Sequence, residues 1–244
     1  MKRLLIISVI IIISVSCRKE NRWDCFKGAG DIVTEERYTE EFTVLEIYDI
    51  FNIYITSDTV HKVILEGGKN LLSSVTTDIS GNRLVIHNNN KCNWVRDYNK
   101  IVNLYISVAS LKEIYMYGGS SVNTLDQLNT DTLEINVWSA VSFFDLDLNC
   151  DASFFKVHAG TGTFRLRGNT DFSYIWSHGT GHLFADSFYS SETMIYNIST
   201  GDCHVNASDK LIVFITSTGN IYYTGDPEIE IREISSTGEL IHKN

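Results

Sequence analysis

The chain has 244 residues, 43% of them hydrophobic, and its 30 acidic and 20 basic side chains give a net charge of −10. This hydrophobic content is typical of a globular protein with a sizeable core. Because sequence-independent binding of nucleic acid needs clustered Lys and Arg, the acidic balance excludes nucleic acid as a partner. The 12 Tyr and 12 Phe residues, beside many Ile, Val and Thr, favour β-structure.

Residues 1–16 have the layout of a secretory signal peptide. Lys2 and Arg3 precede an apolar run over residues 4–13, and small residues follow it. A helix that spans a membrane needs roughly 20 apolar residues, so this run is too short for one. We therefore expect an exported chain.

Residues 14–17 resemble a lipobox, although Ser14 stands where Leu is usual. The resemblance implies that the Cys17 thiol is acylated and that Cys17 becomes the new N-terminus, with residues 17–38 as a lipidated tether. The protein would then be anchored in the outer membrane, on either its cell-surface or its periplasmic face. The alternative is a soluble secreted protein.

Five cysteines are present, and four remain when Cys17 is assigned to lipid. Disulfides persist in the compartments that an exported chain reaches. Cys25 lies in the stretch with the weakest pattern, so we predict a disulfide between Cys25 and Cys92. Cys150 and Cys203 are predicted to be small buried thiols. No spacing of Cys or His suggests zinc, and we predict neither a metal nor a cofactor.

Residues 39–110 form the N-terminal part of a single domain that we place at 39–244. Short runs in this block alternate between apolar and polar residues, as β-strands do, and residues 70–76 could form a short helix. The block either supplies the first turns of the fold or caps them, because an open strand edge would promote aggregation.

Residues 111–244 contain a sequence repeat. Each unit has an alternating run, a corner of small residues and a second short run. The apolar residue that closes each unit recurs at intervals of 18 to 21 residues. These closing residues are Val122, Phe143, Phe164, Leu183, Cys203, Ile221 and Leu240.

A unit of about 20 residues without a helical stretch is too short for a propeller blade and lacks the helix of other short repeats. It matches one rung of a β-solenoid, in which equivalent residues stack at strand spacing, about 4.8 Å. We therefore predict an all-β parallel solenoid with an irregular N-terminal β region. The corner glycines, among them Gly160, Gly179 and Gly201, are expected to supply positive φ angles.

Four segments resemble a known family. They are residues 63–72 (VILEGGKNLL), 81–86 (GNRLVI), 92–98 (CNWVRDY) and 111–121 (LKEIYMYGGSS). Together they resemble the head GIN domain proteins, described as putative auto-transporter adhesin heads and common in lipoproteins of Bacteroides-type bacteria. The resemblance covers residues 39 to the C terminus. It implies a right-handed β-helix-like fold and an adhesion or cell-envelope role, and it transfers no catalytic residue.

Paired carboxylates are the best candidates for catalysis in a polysaccharide-processing enzyme. Asp145 and Asp147 flank Leu146 and share one face of a strand. One rung later Arg165 and Arg167 are spaced in the same way, so we expect two cross-rung ion pairs instead of a catalytic pair. The histidines near the corners, at positions 158, 178, 182 and 204, have different offsets within their units. They are not expected to converge on a metal.

Alternation predicts a stripe of aromatic and imidazole rings on the outside of the solenoid. If the apolar residues of each run face inward, their neighbours face outward. A continuous exposed stripe usually marks a contact surface. The candidate ligand stripe comprises Tyr117, Trp138, His158, Trp176, Tyr196 and Phe214.

These features predict a non-catalytic adhesion or cell-envelope binding module. Its partners would be the membrane, through the lipid anchor, and a glycan or a surface protein. The stripe could instead be covered by the N-terminal block or by a neighbouring subunit, or it could be simple ring-on-ring stacking. The alternative functions are a polysaccharide-processing enzyme and a structural scaffold of the envelope.

Overall fold

The computed structural model describes residues 28–90, 101–138 and 141–243. The predicted acylation of Cys17 and the predicted Cys25–Cys92 disulfide lie outside these residues and stay predictions. One 17-stranded sheet coils through the described part of the chain. Its strands are β1 (Ile32–Tyr38), β2 (Val44–Ile47), β3 (Phe51–Ser57), β4 (Lys62–Gly68), β5 (Val75–Ser80), β6 (Arg83–Asn88), β7 (Val102–Val108), β8 (Glu113–Met116), β9 (Ser121–Thr124), β10 (Leu128–Val137), β11 (Val141–Val157), β12 (Thr161–Gly179), β13 (Leu183–Ser199), β14 (Cys203–Ile215), β15 (Ile221–Thr224), β16 (Glu228–Ile234) and β17 (Leu240–His242).

The predicted solenoid is confirmed. Strands β10 to β14 stack in chain order, and each pairs in parallel with the strand of the preceding rung. The coil has about six turns with rungs of about 20 residues. No helix in the described ranges is long and apolar enough to cross a membrane.

The rung register corrects one of the seven closing residues. Phe144, and not Phe143, aligns with Val122 on one side and with Phe164 on the other. Phe144 is fully buried, whereas Phe143 faces outward, where the Arg165 guanidinium lies 5.2 Å from its ring centre. The other six closing residues align as predicted, from Phe164 through Leu183 to the last rung.

The N-terminal block both supplies rungs and caps them. Strands β2 and β3 pair in parallel with β8 and β9, and on their other side with β6 and β7. The rung of β6 and β7 therefore lies beneath that of β2 and β3, although it comes later in the chain.

Antiparallel strands cover the N-terminal end of the coil. β4 pairs with β7, β5 pairs with β6, and β1 pairs with β4. A short helix, α1 (Lys69–Leu72), follows β4 where the sequence predicted one at 70–76. Because β1 is a paired strand, the folded region begins before residue 39, inside the segment predicted as a tether.

The core is a column of apolar side chains along the inside of the coil. The residues predicted to face inward on the alternating runs are all buried. They are Ile114, Met116, Ile135, Val137, Phe155, Val157, Ile195, Val213 and Ile215.

Two cysteines lie within the described chain, and both are free and buried, as predicted. Cys203 is fully buried, and this burial raises the pKa of its thiol to about 12. The reactive form of cysteine is the thiolate, so the Cys203 side chain acts as a small apolar group of the core.

The corner glycines fall into two groups, which corrects the expectation that all of them need positive φ. Gly160 and Gly179 have φ angles of 94° and 108°. Gly181, Gly201 and Gly219 do not have positive φ. These glycines are required for another reason: each lies so close to a carbonyl oxygen of the preceding rung that no side-chain atom fits.

Candidate functional site: an aromatic face on the solenoid

The predicted stripe consists of two columns of rings on one outer face. The first aromatic column contains Tyr117, Trp138 and His158, which stack with centroid distances of 5.2 and 4.4 Å. The second aromatic column contains Trp176, Tyr196 and Phe214, with centroid distances of 5.3 and 4.0 Å. We call the two columns together the aromatic face.

The two columns are offset by two residues along the strands. The prediction of a continuous stripe was therefore wrong. Trp176 aligns with Lys156, and not with His158. Residues two apart on a strand point to the same side of a sheet, so both columns remain on one outer face.

The first aromatic column presents ring edges to solvent. Trp138 lies between Tyr117 and His158, with interplanar angles of 13° and 7°, so neighbouring rings cover both of its faces. The edges of these rings still face solvent, since Trp138 and Tyr117 are each 40% exposed. Stacking of a sugar ring on the face of Trp138 would need these rings to separate.

The imidazole of His158 is held in this stack in its neutral form. Burial, followed by the nearby Lys156 ammonium, lowers the pKa of His158. Its Nε2 atom lies 3.0 Å from Oδ1 of Asn136, and Lys156 forms an ion pair with Glu134 at 2.8 Å. An uncharged imidazole loses less hydration free energy than a charged imidazolium would when it packs on the indole.

Sequence reasoning missed two members of the first aromatic column. Tyr48 stacks on Tyr117 at 4.7 Å, and His87 stacks on Tyr48 at 4.2 Å. Both come from the N-terminal block, and both directly follow a buried Ile, as Trp138 follows Val137. An aromatic or imidazole ring directly after a buried run was the signal that could have found them.

The carboxylates considered for catalysis are already engaged. Asp145 and Asp147 align with Arg165 and Arg167, as predicted from the spacing. The ion pair is diagonal, however, between Arg167 and Asp145. Asp147 accepts a hydrogen bond from Gln127 at 2.9 Å, and Arg165 lies over the Phe143 ring. An exposed ion pair of this kind contributes about 0.2–1 kcal/mol to stability.

The histidines also have separate partners. His182 accepts a hydrogen bond from the backbone N–H of Asp202 at 3.1 Å, and His204 lies 3.3 Å from a carboxylate oxygen of Asp186. Within residues 28–90, 101–138 and 141–243, no three His, Cys, Asp or Glu side chains converge as a metal site requires.

Solved structures share this fold. A putative adhesin from Bacteroides fragilis NCTC 9343 superposes with a TM-score of 0.81 at 22% identity, covering 87% of this chain and 97% of that one. A putative adhesin from Parabacteroides distasonis ATCC 8503 gives 0.66 at 14% identity, with 88% and 98% covered. A protein from the same strain, described as a putative lipid binding protein, gives 0.63 at 17% identity, with 88% and 95% covered.

The family comparison agrees with the resemblance seen in the sequence. No functionally curated protein matches the chain. The family model described as "Putative auto-transporter adhesin, head GIN domain" matches residues 41–227, which is most of the chain. The chain therefore belongs to the head GIN domain family of putative auto-transporter adhesins.

Proposed function

We propose that the chain is an exported, lipid-anchored and non-catalytic adhesion module that holds a glycan-bearing surface through its aromatic face. The observation that carries this proposal is the exposure of Trp138 and Tyr117, each 40%, at the centre of a face that crosses several rungs. Large exposed aromatic patches on soluble domains usually mark contact surfaces. The membership of the adhesin family supports the same role.

The edges of the stacked rings favour a ligand rich in oxygen atoms. An aromatic ring is electropositive at its edge, and the Trp138 indole N–H and the Tyr117 hydroxyl can donate hydrogen bonds. The hydroxyl and ether oxygens of a glycan match this pattern. Because the rings support each other over a rigid sheet, their edges are ordered before the ligand arrives, which lowers the entropy cost of binding.

Replacing Trp138 by Ala should weaken the adhesion of the mature protein to glycan-coated beads by at least about 30-fold, the effect of losing one central contact residue. Trp176→Ala, in the second aromatic column, should also weaken it. Bead retention is measured against protein concentration, with circular dichroism as the test of folding. The matched control is Tyr38→Ala, since Tyr38 is 74% exposed on β1, outside the aromatic face. Adhesion retained by both folded Trp variants would exclude the aromatic face as the contact surface.

Cys17 is expected to carry the lipid anchor. Metabolic labelling with a fatty-acid probe should mark the wild-type protein and leave the Cys17→Ser variant unlabelled, because the thiol is the acylated group. The variant should move from the membrane fraction to the soluble fraction. A wild-type protein that takes up no label would contradict the proposed anchor.

A further inference from the structure

A polar groove lies at the opposite end of the strand runs from the first aromatic column. It has a volume of about 620 Å³. The sequence pattern Asn-x-Asp builds it on three successive rungs, at 129–131, 149–151 and 169–171. The pattern is in register from rung to rung, so the asparagines form one column and the aspartates another.

The residues at the middle position of the pattern, together with Ser190 on the next rung, form the floor of the groove. Thr170 and Ser190 are buried, and their hydroxyls donate to the carbonyl oxygens of Phe172 and Glu192 at 3.0 and 2.6 Å. Cys150 fills the same column and lies 3.6 Å from the Thr170 hydroxyl. Because these groups are satisfied within the protein, the floor does not need a ligand.

The two walls remain available to a ligand. Asn149 donates to the side-chain oxygen of Asn129 at 3.0 Å, which aligns the amides along the groove. The carboxylates of Asp131, Asp151 and Asp171 are exposed and form no hydrogen bond or ion pair with any residue in the described chain. Amides and carboxylates repeat at the strand spacing of about 4.8 Å.

Tyr189 lies within the asparagine column and differs from the rings of the aromatic face. It aligns with Asn169 on one side and Asn206 on the other, and it is 59% exposed. No ring among the described residues stacks on it, unlike Trp138, whose two faces are covered. Tyr189 therefore presents a largely exposed ring beside a row of hydrogen-bonding groups.

We infer that this groove binds a short neutral oligosaccharide, with one sugar ring on the face of Tyr189 and its neighbours along the Asn and Asp columns. The inference rests on the proposed adhesion function and adds a sugar subsite that is separate from the aromatic face. A sugar has an apolar C–H face that packs on an aromatic ring and hydroxyls that both donate and accept hydrogen bonds. The amides of Asn149 and Asn169 and the carboxylate of Asp151 provide these complementary groups.

Charge and size define the ligand class further. The groove's described lining contains three Asp and neither Lys nor Arg. Sulfated, sialylated and uronic-acid glycans are therefore repelled, whereas a neutral glycan is not. A volume of about 620 Å³ lies within the range of small-ligand sites, about 300–1,000 Å³. The four rungs from Asn129 to Tyr189 span roughly 14 Å, three strand spacings, which suits an oligosaccharide better than a single sugar.

The test is a titration of the purified mature protein with neutral oligosaccharides of mannose, glucose and galactose and with uronic-acid oligosaccharides. The wild type should bind a neutral member, and Tyr189→Ala should weaken this binding about tenfold. Tyr189→Phe keeps the ring and should bind nearly as well as the wild type. Asn149→Ala should also weaken binding. The variant in which Asp131, Asp151 and Asp171 are all Asn should gain affinity for the acidic oligosaccharides.

The other outcomes distinguish failure of the groove inference from failure of the proposed adhesion function. Sugar binding that is lost in Trp138→Ala and kept in Tyr189→Ala overturns the groove inference and leaves the proposed function standing. Adhesion to glycan beads without binding of any neutral oligosaccharide does the same. Calcium binding that disappears in Asp151→Asn, with no sugar bound, also overturns the inference. A wild type that neither adheres nor binds sugar contradicts both proposals.

Discussion

Replacing Gly201 by Ala should destabilise the solenoid by about 3 kcal/mol or more, at the upper end of the cost of inserting one methyl group into a packed interior. A Cβ atom at Gly201 would lie 1.8 Å from the carbonyl oxygen of Gly181. That oxygen belongs to the backbone of the preceding rung, and moving it would break the stacking of β13 on β14. The midpoint of urea unfolding, followed by circular dichroism, measures the loss.

A matched control separates this contact from the ordinary effect of replacing glycine. Gly28 has no atom within 4 Å of an added Cβ, so Gly28→Ala should leave the midpoint nearly unchanged. Gly201 does not have positive φ, so its predicted cost comes from the close approach alone. A Gly201→Ala protein as stable as the Gly28→Ala protein would show that the rungs are packed less closely than described.

Gly201 belongs to a column of glycines that runs through five rungs. An added Cβ at Gly181, Gly219 or Gly238 would also meet a carbonyl oxygen of the glycine before it, at 1.9, 2.1 and 2.4 Å. The sequence predicted where these glycines lie, because they recur with the repeat. It could not reveal why they are glycine, since the contact joins residues about 20 positions apart and depends on the distance between rungs.

The alternating pattern was sufficient to predict the inside of the coil but not its register. Inward residues such as Ile135 and Val213 follow directly from a period of two. The doublet of Phe143 and Phe144 offers an aromatic side chain to both faces, so alternation alone could not choose the buried one. Only the pairing of Phe144 with Phe164 decides it.

The sequence predicted which residues form the aromatic stripe, but it did not predict that the stripe divides into two offset columns. His158 and Trp176 are 18 positions apart, whereas the register between their strands is 20, as the pairing of Lys156 with Trp176 shows. Units of unequal length hide such a shift in the sequence.

The order of the N-terminal rungs could not be predicted either, because periodicity does not show which rung is stacked on which neighbour. The groove was missed because Asn and Asp are also common in turns, so their presence in the sequence does not by itself indicate a binding site.

Phe164→Ala should cost about 3–5 kcal/mol, because it removes a large side chain from the inside of a packed coil. Phe164 is 2% exposed. Its ring stacks on Phe144 with a centroid distance of 4.5 Å and the planes 4° apart, and it forms a T-shaped contact with Phe155 at 5.7 Å. The substitution therefore removes two ring contacts and leaves a cavity that the stacked strands on either side cannot close.

Phe184→Ala is the matched control for this cavity, since Phe184 is the same residue type on the next rung and is 38% exposed. It aligns with Arg165, directly beside Phe164 in the chain, but on the outer face. Phe184→Ala should lower the free energy of unfolding by only about 1 kcal/mol, which is about what its ring contacts with His182 and His204 contribute. Thermal and urea unfolding of the two variants should therefore differ by at least about 2 kcal/mol. Equal midpoints would mean that Phe164 does not face the core and that the rung register is wrong.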